Sequence, residues 1–137
     1  MTPAVGTSLL PLRIDSVSPA SMQQWAGFLH DPNPIHLDPA VVKAKGWGDR
    51  VINQGPANLA YIITMLQKAL PGATLEALDV RYVDNVFGGE SVEAGGKVKE
   101  ISQQQGDARG QTQVTCDVWL RAPARDFVIT GTAVLSV

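Results

Sequence analysis

The sequence predicts an α+β fold in which an antiparallel sheet wraps around a long, buried central helix. Two observations carry that expectation. The run from Ala57 to Leu70 is apolar almost all round and long enough for a helix. Everything after it alternates with period two and is broken by turn residues, the mark of consecutive strands. With 137 residues the chain is read as one domain, 1–137, and its 45% hydrophobic content suits a globular core rather than a disordered chain.

The elements follow in order. From Ser8 to Ser16, Leu10, Leu12 and Ile14 alternate with Pro11, Arg13 and Asp15, predicting a half-buried edge strand. Ser18-Pro19 is an N-cap followed by proline at the first helical position, and Met22, Trp25, Ala26 and Leu29 form one apolar stripe of a helix ending near Phe28 to His30. Asp31-Pro32-Asn33-Pro34-Ile35-His36 cannot be helical, because each proline removes a donor and pushes its predecessor into extended geometry. Asp38-Pro39 repeats the cap signature and opens a short helix, Ala40 to Lys45, stopped by Gly46. Pro56 opens the central helix and Pro71-Gly72 ends it. Strands are then expected at Leu78 to Val83, Val92 to Ile101, Thr112 to Leu120 and Phe127 to Val137. Between them lie a turn at Phe87 to Glu90, a polar loop from Gln103 to Gly110 and a turn at Ala122 to Ala124. Gly95-Gly96 marks a bulge or close packing. A sheet of this size curled around one apolar helix is the hot-dog fold.

Composition excludes several functions. The net charge of −2 is not the footprint of a nucleic-acid binder. The lone Cys116 leaves no internal disulfide framework and no Cys-rich zinc site. The apolar run 57–70 is about 21 Å long at ~1.5 Å per residue, too short to cross a membrane. Residues 1–12 lack a basic stretch ahead of an apolar run, so they do not form a secretory signal. The expectation is a soluble, cytoplasmic protein with neither nucleic-acid nor membrane partners. Charged residues make up only 18%, below the usual quarter or so, which points to surface covered by a second copy.

The densest cluster of titratable groups is His30, Asp31, His36 and Asp38, set in a stiff proline-rich loop. A carboxylate and an imidazole five residues apart there can face one water as a general acid–base pair near neutral pH. No common zinc or iron spacing fits the four, so no metal is expected. Asp38 is read as a helix cap and Asn33 as a brace of the loop. Trp47, Tyr61 and Met65 fit either a pocket lining or plain core. Lys43, Lys45 and Arg50 fit either a phosphate contact or a solvated face.

The motif Asp31-Pro32-Asn33-Pro34-Ile35-His36, after the helix with Trp25 and Phe28 and before Gly46-Trp47, resembles the signature of the MaoC-like, (R)-specific enoyl-CoA hydratase family. The likeness extends to Val51-Ile52-Asn53-Gln54-Gly55 and Val86-Phe87-Gly88-Gly89-Glu90, so it covers nearly the whole chain. The chain departs from the family in having His30 where glycine is common, Gln54 where histidine is common, and Pro56 after Gly55. The resemblance implies that Asp31 and His36 form a catalytic dyad, and that the substrate is an acyl-CoA thioester with no separate cofactor. It implies Gly55 at the start of the central helix; the backbone N–H there is the candidate oxyanion donor. Asn33, Gln54, Trp47, Lys43, Lys45 and Arg50 are the candidate substrate-binding residues, and a homodimer or higher oligomer is expected. Two alternatives stand beside this. A thioesterase of this fold would carry Asp or Glu on the central helix, and 57–70 has neither. A histidine with Phe-Pro-Gly, the mark of β-hydroxyacyl-ACP dehydratases, is likewise missing. A non-catalytic acyl-CoA-binding protein, or a subunit of a heteromeric hydratase, is the other.

Overall fold

Five strands form one antiparallel sheet in the computed structural model, which describes residues 2–103 and 111–137. The elements are β1 (Leu12–Ile14), α1 (Pro19–Leu29), a 3-10 turn (Pro34–His36), α2 (Pro39–Ala44), α3 (Gly55–Ala69), β2 (Thr74–Tyr82), β3 (Val92–Gln103), β4 (Thr112–Arg121) and β5 (Phe127–Ser136). Their order across the sheet is β1-β3-β4-β5-β2, so β1 and β2 are the edges. The expected loop between β3 and β4 lies, apart from Gln103, outside the described residues.

Alternation works as expected in β4, where Val114, Cys116, Val118 and Leu120 all point into the core. They meet Ile62, Met65 and Leu66 of α3, joined by Val92, Ala94 and Val98 of β3 and Ile129, Ala133 and Leu135 of β5. Burial pushes the Cys116 thiol up to about 11, helped by the neighbouring Asp117 charge, so it packs as a small neutral hydrophobe. Gly95 and Gly96 serve close packing. A Cβ on Gly95 would stand 2.7 Å from Trp119 Nε1, and one on Gly96 would stand 2.9 Å from the Asp117 carbonyl oxygen. The register shift in this pair of strands falls further on, between Val98 and Glu100.

Three expectations are corrected. The first strand is shorter than Ser8 to Ser16. Only Leu12–Ile14 pairs as a strand, Ser8 makes a single bridge to Lys97, and Leu10 is 73% exposed while Leu9 is buried. Pro11 cannot donate to a ladder and changes the parity of the alternation there. The strand expected at Leu78 begins at Thr74, with a bulge between Leu75 and Ala77 after which Leu78 and Val80 pack inward as expected; Tyr82 at its end is 48% exposed. The central helix is covered on one side only. Ala57, Asn58, Ile62, Met65 and Leu66 are buried, whereas Leu59, Ala60 and Ile63 are only half-buried, because a single sheet wraps one face of a helix.

Candidate active site

The loop after α1 is built by local rules. His30 ends α1 in the left-handed conformation, φ 52°, and the Asp31 N–H turns back to donate to the Ala26 carbonyl at 3.0 Å. Asp31 Oδ1 accepts from the Asn33 N–H at 3.1 Å, and Asn33 Oδ1 accepts from the Ile35 N–H at 3.3 Å. These two short-range bonds brace the turn that carries His36, as expected for Asn33. Asp38 Oδ1 accepts from the Ala40 N–H at 2.9 Å, which is the expected cap of α2.

His36 is buried, and its Nδ1 lies 2.6 Å from the carbonyl oxygen of Ile52. A carbonyl only accepts, so Nδ1 carries a proton. In the neutral ring Nε2 is then a lone-pair site, and it faces Asp31 Oδ2 at 3.5 Å. The structure therefore brings Asp31 and His36 together and leaves His30 and Asp38 out of the pair. Among the described residues no group of three or more His, Cys, Asp or Glu is placed to hold a metal ion.

Ile52 is itself held from two sides. Its N–H donates to the Ile35 carbonyl at 2.9 Å, and it bridges to Phe87. The turn bearing Phe87 is clamped by Arg125. Its guanidinium donates to Glu90 Oε2 at 3.0 Å and Oε1 at 2.8 Å, to Asp84 Oδ2 at 2.7 Å and to the Asn85 carbonyl at 2.6 Å. The hydrogen bond with Glu90 leads the causes that raise the Arg125 pKa, so the cation persists at any ordinary pH. Neither the Ile52 carbonyl nor the Arg125 clamp is visible as a motif, since backbone acceptors and long-range ion pairs have no local signature.

Gly55 opens α3, where first-turn N–H groups have no intrahelical acceptor, and Pro56 contributes none. The Cβ direction of Gly55 is not open space: a Cβ there would stand 3.4 Å from Tyr82 Cε1. Tyr82 donates its hydroxyl to the Gly55 carbonyl at 3.1 Å. Tyr82 falls within the expected strand from Leu78 to Val83, but nothing in the sequence marks its contact with Gly55.

Gln54 is a correction. It is fully buried, and its Nε2 donates to the Met22 carbonyl at 2.7 Å, so the side chain ties α1 to the start of α3, while its buried Oε1 has no hydrogen-bond partner among the described residues. Beside it Asn53 Nδ2 donates to Asn58 Oδ1 at 2.7 Å, and Asn53 also hydrogen-bonds Tyr61, partly offsetting the burial that raises the Tyr61 pKa. Met65 is wholly core, and Tyr61 is half-buried against the core. Trp47 is 48% exposed and, with Ile35, Ile52 and Asn85, lines a depression of about 430 Å³ beside the residues that hold His36. Lys45 Nζ lies 5.2 Å from the centre of the Trp47 ring, and the Arg50 guanidinium lies 5.5 Å from that of Phe87. Lys43 is exposed on α2. A second depression, about 450 Å³, is lined by Ala26, Gly27, His30, Asp31, Pro32 and Leu37.

Comparison with known proteins places this chain in a family. The model of the MaoC like domain matches residues 2–119. The chain belongs to the MaoC-like dehydratase family, a hot-dog domain of the hydratase and dehydratase type. Among solved structures, it is similar to the (R)-hydratase from A. caviae involved in PHA biosynthesis. The identity is 22%, the TM-score 0.83, and the match covers 99% of this chain and 98% of that one. It is also similar to the MaoC-like dehydratase from Rhodospirillum rubrum at 23% identity and TM-score 0.83, covering 98% and 92%. The third is the ChsH1-ChsH2 complex from Mycobacterium tuberculosis, at 18% identity and TM-score 0.81, covering 99% of each chain. A search of curated proteins found no match. No helix among the described residues is long and apolar enough to cross a membrane.

Proposed function

We propose that this chain catalyses the reversible hydration of a trans-2-enoyl-CoA to the (R)-3-hydroxyacyl-CoA, with Asp31 and His36 acting on one water. The observation that carries the reading is the His36 Nε2 to Asp31 Oδ2 separation of 3.5 Å with Nδ1 engaged by Ile52. With Asp31 ionised and the imidazole neutral, both facing atoms are acceptors. A water donating one hydrogen to each, at about 2.8 Å, satisfies both and turns its lone pairs outward. As its oxygen bonds the β-carbon, one proton passes to the pair. One proton is delivered to the α-carbon, so nothing is consumed besides water and no cofactor is called for. Charge gathers on the thioester oxygen in between. The Gly55 N–H at the positive end of α3 is the donor we assign to it. The depression beside Trp47, Lys45 and Arg50 is where we seat the CoA arm. The (R) outcome is proposed by analogy with the similar (R)-hydratase from A. caviae.

The test is loss of enoyl absorbance on crotonyl-CoA and on longer and bulkier enoyl-CoAs by the purified chain alone. Handedness is read with a stereospecific dehydrogenase. Turnover to the (R) product is the expected result. No turnover alone, with turnover restored by a second, different subunit, would establish the heteromeric alternative, which the likeness to the ChsH1-ChsH2 complex keeps in view.

A further inference from the structure

Resting on the assignment of the Gly55 N–H as oxyanion donor, we propose that Tyr82 is the positioning residue that aims it. Glycine is the most mobile residue a chain can place at a helix start, and helix ends fray. A donor there stabilises charge only if its direction is fixed before the charge appears. Two restraints act on Gly55. Pro56 stands on its C-terminal side and narrows the conformations open to residue 55. Tyr82 supplies the second, reaching from the last position of edge strand β2 to the first turn of α3.

The contact has two parts that substitution can separate. The ring covers the Gly55 α-carbon, with Cε1, Cζ and Oη 3.4, 3.6 and 3.7 Å from the position a Cβ would take. The hydroxyl donates to the Gly55 carbonyl at 3.1 Å, a bond that holds the peptide leading into Pro56 and so restrains ψ of residue 55, while the ring packed where a Cβ would stand limits how far the α-carbon can turn. Burial raises the Tyr82 pKa, so the phenol keeps its proton and remains a donor at neutral pH. The ring is also 48% exposed, which is a poor return on core packing for a large side chain but suits one that works at a surface cleft.

Tyr82→Phe keeps the ring and deletes only the hydroxyl. Losing a whole oxyanion donor lowers kcat by about 10²–10³-fold, and a donor retained but loosely aimed should lose part of that, about tenfold. The expected result is a roughly tenfold fall in kcat with KM within about twofold, because aim matters to the transition state and hardly to the ground state. The melting temperature should stay near the parent's. Tyr82→Ala, which removes the ring as well, should lower kcat further. A Tyr82→Phe protein with parental kcat, or one whose loss is confined to KM or to melting temperature, would overturn the assignment. Asp31→Asn is run in parallel. If it too turns over normally, the hydratase reading fails; if it is inactive while Tyr82→Phe is unaffected, only the role of Tyr82 fails.

Discussion

At the scale of single residues, the proposed chemistry depends on one tautomer. Nδ1 is engaged by a carbonyl that can only accept, so the basic nitrogen of His36 is turned toward Asp31. Asp31→Asn and His36→Ala should each lower kcat by about 10²–10⁴-fold, the range for lost acid–base catalysis. Because the two groups serve one water, the double variant should be little worse than either single one. Steady-state hydration rates on variants shown to be folded by circular dichroism decide this; multiplied losses would mean two independent roles. The pair itself was legible in the sequence, since two prolines fix the chain between them. The Ile52 carbonyl was not, because every residue carries one and only the fold selects it. His30 shows a related limit. It is the one non-glycine residue at positive φ among the described residues, a conformation that costs about 1–2 kcal/mol with a side chain present. The glycine common at this position in the resembled family fits that geometry.

At the scale of elements, strands and caps followed their local chemistry, whereas the failures came where a neighbour intervened. Ser18, Asn33 and Asp38 cap as their sequence context predicts. Leu10 does not face inward, because Pro11 shifts the parity of its strand. Tyr82 keeps the phase of the inward Leu78 and Val80 but stands at the end of β2, where it is half exposed against the start of α3. Gln54, just before the central helix, reads in the sequence as a candidate substrate contact. Burial against α1 gave it the Met22 carbonyl instead, and that choice depends on the packing of two helices. The short helix α2 and the segment after it bear the prediction for this scale. Replacing Lys43, Lys45 and Arg50 together by alanine should raise KM for an enoyl-CoA while leaving kcat nearly unchanged, because phosphate contacts bind ground and transition states alike. Raising the salt concentration should weaken the parent's binding and narrow the difference from the triple variant. A KM unaltered in the triple variant would move the phosphates elsewhere.

At the scale of the whole molecule, the half-covered face of α3 and the unpaired outer edge of β2 are what a lone hot-dog domain leaves exposed. A second copy should cover them, and light scattering at working concentration should give twice the mass of the chain or a higher multiple. A stable monomer with full turnover would refute this. A different consequence follows from the clamp at Arg125. Every side chain we place in the reaction is encoded by residue 55, yet the guanidinium bracing the turn that bridges to Ile52 stands at position 125, between the last two strands. A ribosome adding ~5–20 residues per second therefore releases the reacting groups several seconds before the arginine that steadies them. A half-made chain has the residues we assign to the reaction before the clamp that braces the turn bridging to Ile52. The clamp is complete only when the final hairpin has been made, so the brace on Ile52 is supplied by the last-made part of the sheet.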